Sequence, residues 1–152
     1  LALVGLWFIV GQYLLLHLLL KGRTSWADGV VFGLGSGCVE ALYMGINNLW
    51  LLLFQTSLVR HIPPAEVAAA SFERVFALML MVCLTLLTLP AIRRSQPLRV
   101  LLPMFIMFAT NLLVQILALL NLHVWLIEGI LAGISLLLLA SVMLLRRREM
   151  KR

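Results

Sequence analysis

Five long apolar runs divide the chain, at residues 1–20, 29–54, 71–89, 98–120 and 124–145. A helix rises about 1.5 Å per residue, so a run of about 20 residues crosses a hydrocarbon layer of ~30 Å. Inside such a layer only helices and closed barrels satisfy their own backbone. A barrel requires short alternating strands, and no sustained apolar/polar alternation occurs here. The runs predict an all-α, polytopic integral membrane helix bundle: one transmembrane domain over 1–152 with five transmembrane helices. Composition agrees, because 63% hydrophobic and 12% charged residues leave too little polar surface to clothe a soluble domain of this size.

The net charge of +6 would suit nucleic acid in another context. Here the basic residues sit in short clusters between the apolar runs, where they set topology, so nucleic acid is excluded as a partner and the lipid bilayer takes its place. Lys21 and Arg23 follow the first run; Arg93, Arg94 and Arg99 follow the third; Arg146, Arg147, Arg148, Lys151 and Arg152 follow the fifth. With five spans these three segments share one side, and only Arg60 and Arg74 remain on the other. The asymmetry predicts residue 1 outside and a cytoplasmic C-terminus. The chain opens on Leu1 with no methionine and no charged leader, which predicts further helices upstream.

The second run is unusually polar. Its stretch Gly29–Gly45, GVVFGLGSGCVEALYMG, carries a glutamate, a cysteine and five glycines. Gly29, Gly33, Gly37, Ala41 and Gly45 recur every fourth residue, a stripe of small side chains on which another helix can pack closely. Beside it runs a mostly polar row, Ser36, Glu40, Met44 and Asn47. Glu40 lies near mid-membrane, where an ionisable group costs about 2.5–3.5 kcal/mol, so it should face protein or a water-filled cavity.

Other polar residues divide into anchors and candidates. Gln12 should hydrogen-bond a neighbouring helix. Trp26 reads as an interfacial anchor, and Asp28 as a cap on the second helix. After Pro63-Pro64, residues 65–71 read as a short interfacial helix leading into the third span. That span opens on Glu73 and Arg74, an orienting pair unless Arg74 reaches an inner carboxylate, and it ends at Pro90. Cys38 and Cys83 read as small fillers and the methionines of the third span as packing, not as ligands. Pro103 should kink the fourth span. Asn111, at the depth of Glu40, is placed to hydrogen-bond it. Glu128, one turn inside the fifth span, reads as a carboxylate snorkelling to water.

Several chemistries lack their residues. His17, His61 and His123 lie at the span ends, so zinc has no converging ligand set and no metal is expected. Ser36 has no histidine at its depth to act as base. Gly33, Gly35 and Gly37 form no phosphate loop, since no Lys-Ser/Thr follows. Glu40 is expected to be without a paired carboxylate. No cofactor is implied.

Residues 5–45, GLWFIVGQYLLLHLLLKGRTSWADGVVFGLGSGCVEALYMG, resemble the YhfC family of bacterial glutamic-type intramembrane proteases, related in style to the CAAX-prenyl endopeptidase (ABI/CPBP) group. In that family a first helix carries an acidic pair and then a Gly-Arg-aromatic step. The next carries Gly-His-Gly-Gly-x-Glu. A third begins Glu-Arg and reaches a histidine two turns later, and a fourth has a histidine four residues before an asparagine. The present chain keeps Gly11 and Tyr13 around Gln12, then Gly35, Gly37 and Glu40, then Glu73-Arg74 and Asn111, with Cys38 in place of a glycine. The resemblance covers about residues 5–112 and extends to the last span. The acidic pair falls at Phe8 and Ile9, and the three histidines fall at Ser36, Met81 and Met107. No mid-membrane histidine replaces them.

The resemblance thus implies a bacterial plasma-membrane protein with the frame of an intramembrane protease and without its reactive groups. Its site positions are Ser36, Glu40, Glu73, Arg74, Met81, Met107 and Asn111. The first reading is a pseudoenzyme that binds a membrane-protein or peptide partner. The second is an active hydrolase with an altered site around Glu40, Asn111 and Glu73, since water activation needs a carboxylate base and a group that stabilises the oxyanion. The third is a small transporter or channel component with Glu40 in an ion path.

Overall fold

The computed structural model describes residues 2–20, 25–54, 63–93, 96–120 and 122–150. They form an all-α bundle of the membrane type: α1 (Ala2–Leu20), α2 (Trp26–Phe54), α3 (Pro64–Arg93), α4 (Leu101–Leu119) and α5 (Val124–Met150). A 3-10 turn, Pro97–Val100, leads into α4. Four segments are long and apolar enough to cross a membrane: Trp26–Phe54, Val67–Arg93, Pro97–Leu119 and Val124–Arg147. In α1 a shorter apolar helix is described over Ile9–Leu18. Arg60 and His61 of the second loop, with Lys21, Arg23, Arg94, Lys151 and Arg152, lie outside the described residues.

The hub is α3, which packs against α1, α2, α4, α5 and the 3-10 turn. Its apolar stretch is 56% buried, against 17–22% in the other three spanning segments. Burying a helix on all sides requires its polar groups to be satisfied within it. Thr85 and Thr88, both fully buried, donate their hydroxyls to the carbonyls of Met81 and Leu84 one turn back, at 2.8 Å each. Ser135 of α5 donates to the Phe76 carbonyl of α3 at 3.3 Å, a tie between the two helices. Elsewhere large apolar side chains such as Val31, Leu53 and Phe105 are exposed, as lipid-facing residues should be.

The glycine stripe meets α3 along part of its length. Gly29, Gly33 and Gly37 are buried. A methyl group built on Gly33 would fall 2.7 Å from the Val82 Cα, a backbone atom that cannot step aside. At Gly45 the same methyl would meet nothing within 4 Å, so the two helices have separated there.

Two local expectations are corrected, and a third is completed. The segment after Pro63 is no separate interfacial helix; α3 begins at Pro64 and runs unbroken to Arg93, one turn beyond Pro90. A proline that close to a helix end removes one hydrogen bond only, which the turn tolerates. Asp28 caps α2 as expected, together with Ser25 at the N-cap: the Ser25 backbone N–H donates to the Asp28 carboxylate at 2.6 Å, and Asp28 N–H donates back to the Ser25 hydroxyl at 3.2 Å. This reciprocal pair is a capping box with Asp in place of Glu. Pro103 sits in the first turn of α4, where its missing N–H has no intrahelical partner to lose, and the irregular geometry is the 3-10 turn before it. Of the cysteines, Cys83 is a buried filler and Cys38 is exposed; both are free.

Candidate functional site

Helical periodicity decides which residues can share a site. Glu40, Tyr43 and Met44 lie on one face of α2. Glu73, Arg74, Ala77, Leu80 and Met81 lie on one face of α3, and Met107, Thr110, Asn111, Val114 and Gln115 on one face of α4. These three faces, with Leu131 of α5, line a half-open cavity of about 370 Å³. Six of the seven site positions expected from the sequence meet there: Glu40, Glu73, Arg74, Met81, Met107 and Asn111.

Ser36 stands apart. It lies one turn from Glu40 on α2 and accepts a hydrogen bond from the Gln12 amide at 2.9 Å, while its own hydroxyl donates to the Gly33 carbonyl at 3.0 Å. The interhelical hydrogen bond expected of Gln12 is therefore made, to α2. Its Oε1 is buried with no partner.

The electrostatics of the cavity differ from the expectation. Glu40 is not alone: Glu73 and Arg74 share its cavity and lie within electrostatic reach of it. Arg74 forms an ion pair with its neighbour Glu73, each side chain about one-third exposed. Asn111 makes no hydrogen bond to Glu40; both side chains face the cavity instead. Glu128 is the larger correction. It is 8% exposed, its Oε2 has no hydrogen-bond partner, and it feels the charges of Glu73 and Arg74. It does not snorkel, because the packing of α5 against α3 turns it into the bundle. At the same end of the two helices the Phe72 ring of α3 meets the Trp125 ring of α5 at 6.0 Å.

The apolar replacements have their own arrangement. Ile9, Met81 and Met107 belong to one buried cluster, together with Leu80 and Leu84. The resemblance assigns one acidic residue and two histidines to those three positions. The Phe8 side chain lies outside the described residues. Among the described residues no three of His, Cys, Asp and Glu converge as metal ligands.

A second concavity adjoins the first. Ala41, Gly45, Asn48, Leu51 and Leu52 of α2 face Val67, Ala70 and Ser71 of α3 across a groove of about 580 Å³, and Met44 and Arg74 line both spaces. The groove opens where the glycine stripe loses contact with α3. Sequence reasoning missed Gln115 and Tyr43 as cavity residues. Gln115 was within reach of it, one helical turn beyond Asn111 on an otherwise apolar face.

No protein-family model matches the chain, and no solved structure does. Among curated proteins the chain is similar to the uncharacterized membrane protein YhfC of Bacillus subtilis (strain 168). The two are 27% identical, and the match covers 63% of this chain and 47% of the relative, so the chain spans about half of that protein's length. Together with the membrane-type bundle, this similarity supports the likeness to the YhfC family that residues 5–45 first carried.

Proposed function

We propose that this is a bacterial plasma-membrane protein that has kept the bundle of an intramembrane protease and binds a membrane peptide or protein partner without cleaving it. The observation that carries the reading is the burial of Ile9, Met81 and Met107 in one apolar cluster. An acid and two histidines at those positions would demand polar partners and water. Three apolar side chains there gain from mutual burial instead, and no water is activated among them. General acid–base catalysis contributes about 10²–10⁴-fold and oxyanion stabilisation roughly another 10²–10³-fold, so a site without either retains little beyond positioning. What remains is a largely apolar cavity with a few polar side chains, Glu40, Glu73, Arg74, Asn111 and Gln115, beside a groove between α2 and α3, which suits binding.

The test is a cleavage assay on the protein reconstituted in lipid vesicles with a membrane-spanning reporter peptide. The expected result is no product above the empty-vesicle background. Robust proteolysis that disappears in Glu40→Gln would overturn the reading and favour an altered active site around Glu40.

A further inference from the structure

The cavity is short of positive charge. Glu40 and Glu73 line it, and Glu128 of α5 is buried within electrostatic reach of Glu73 and Arg74, one turn from the cavity residue Leu131 on the same helical face. Arg74 is the one cation among the lining residues, and it is already paired with Glu73. Among the described residues neither Glu40 nor Glu128 forms an ion pair, and the Glu128 Oε2 is buried with no hydrogen bond. Carboxylates at membrane depth are costly unless paired, and those that persist commonly mark a binding or transport path. The three carboxyl groups do not converge closely enough to hold a metal ion. A larger cation, able to reach several of them across the cavity, fits better.

The groove indicates how such a cation arrives. Its walls carry small side chains, Ala41 and Gly45 on α2 facing Ala70 and Ser71 on α3, the kind of surface on which a transmembrane helix packs. It adjoins the cavity at Met44 and Arg74, which line both. A Lys or Arg on a helix lying in the groove could lay its aliphatic stem along Met44 and Leu80 and put its charged head among the carboxylates.

Resting on the peptide-binding reading above, we infer that the partner is a transmembrane segment with a basic residue, and that this residue enters the cavity lined by Glu40 and Glu73, with Glu128 buried one helical turn from its wall residue Leu131. The test uses the reconstituted full chain and two dansyl-labelled Leu/Ala peptides of about 20 residues, long enough to span. One carries a single Lys, its twin norleucine at the same place, and binding is read by energy transfer from the protein's tryptophans. The Lys peptide should bind at least about tenfold more tightly, the scale of one charge-assisted hydrogen bond. That ratio should fall toward one in the Glu40→Gln/Glu128→Gln double variant. It should rise in Asn111→Asp, which adds a carboxylate to the wall and guards against mistaking a misfolded variant for a positive result. Equal binding of the two peptides by the unaltered protein would remove the basic-residue inference and leave peptide binding standing. A ratio that neither variant changes would remove this cavity as the place. Binding of neither peptide would remove both readings.

Discussion

At the scale of single residues, the cavity carboxylates should be expendable for folding. Glu128 has a buried oxygen with no partner, and an unsatisfied buried polar group costs about 1–3 kcal/mol. Replacing such a group by an apolar side chain of similar size is often stabilising. Glu128→Met should therefore raise the unfolding free energy in mild detergent, on the order of 1 kcal/mol, while weakening any cation preference of the cavity. A clear loss of stability would mean that the carboxylate holds the helices together. Glu40 faces the cavity and makes no hydrogen bond to Asn111, so Glu40→Gln should leave stability within about 0.5 kcal/mol of the parent, the usual range for a site away from packed features. A chemical denaturation series in one detergent measures both variants.

At the scale of elements, the α2–α3 contact makes the same substitution opposite in effect at two positions of one stripe. Gly33→Ala drives a methyl group onto the Val82 backbone, and overpacking of that kind costs about 1–3 kcal/mol. Gly45→Ala adds a methyl where nothing lies within 4 Å and restricts the unfolded chain, which is neutral or favourable by about 0.4–1 kcal/mol. Thermal stability of the two purified variants should move in opposite directions. Equal losses at both sites would show that the helices stay in contact to Gly45 and that the groove is closed. The stripe itself was legible in the sequence, as a repeat of small residues every fourth position. Its division into a packed half and an open half was not, since Gly29, Gly33, Gly37 and Gly45 look alike until α3 is in place.

At the scale of the whole molecule, the charge distribution predicts an orientation. Ten of the twelve basic residues fall on one side of a five-span layout. Arg146 lies over the Trp26 ring at 5.7 Å, so the end of α5 and the start of α2 share one end of the bundle. A reporter fused after Arg152 should read cytoplasmic, and one inserted at Pro64 should read external, because positively charged flanks resist translocation. An external reading at the C-terminus would remove the five-span layout.

The sequence by itself determined the class of fold, since runs of some 20 apolar residues leave the backbone no option in lipid but helix. It also determined which faces carry polar groups, because Glu40, Glu73, Arg74 and Asn111 stand out against apolar neighbours at helical spacing. Tertiary structure decided what those groups meet. It placed α3 at the centre of the bundle, buried Glu128 within electrostatic reach of Glu73 and Arg74, and separated Asn111 from Glu40 across a cavity. The physical reason is that depth along a span follows from counting residues, whereas the rotation and splay of each helix follow from how side chains of different helices fit together. A few small residues facing Val82 and Thr85, and a helix that starts at Pro64, set that fit, and no local pattern encodes it.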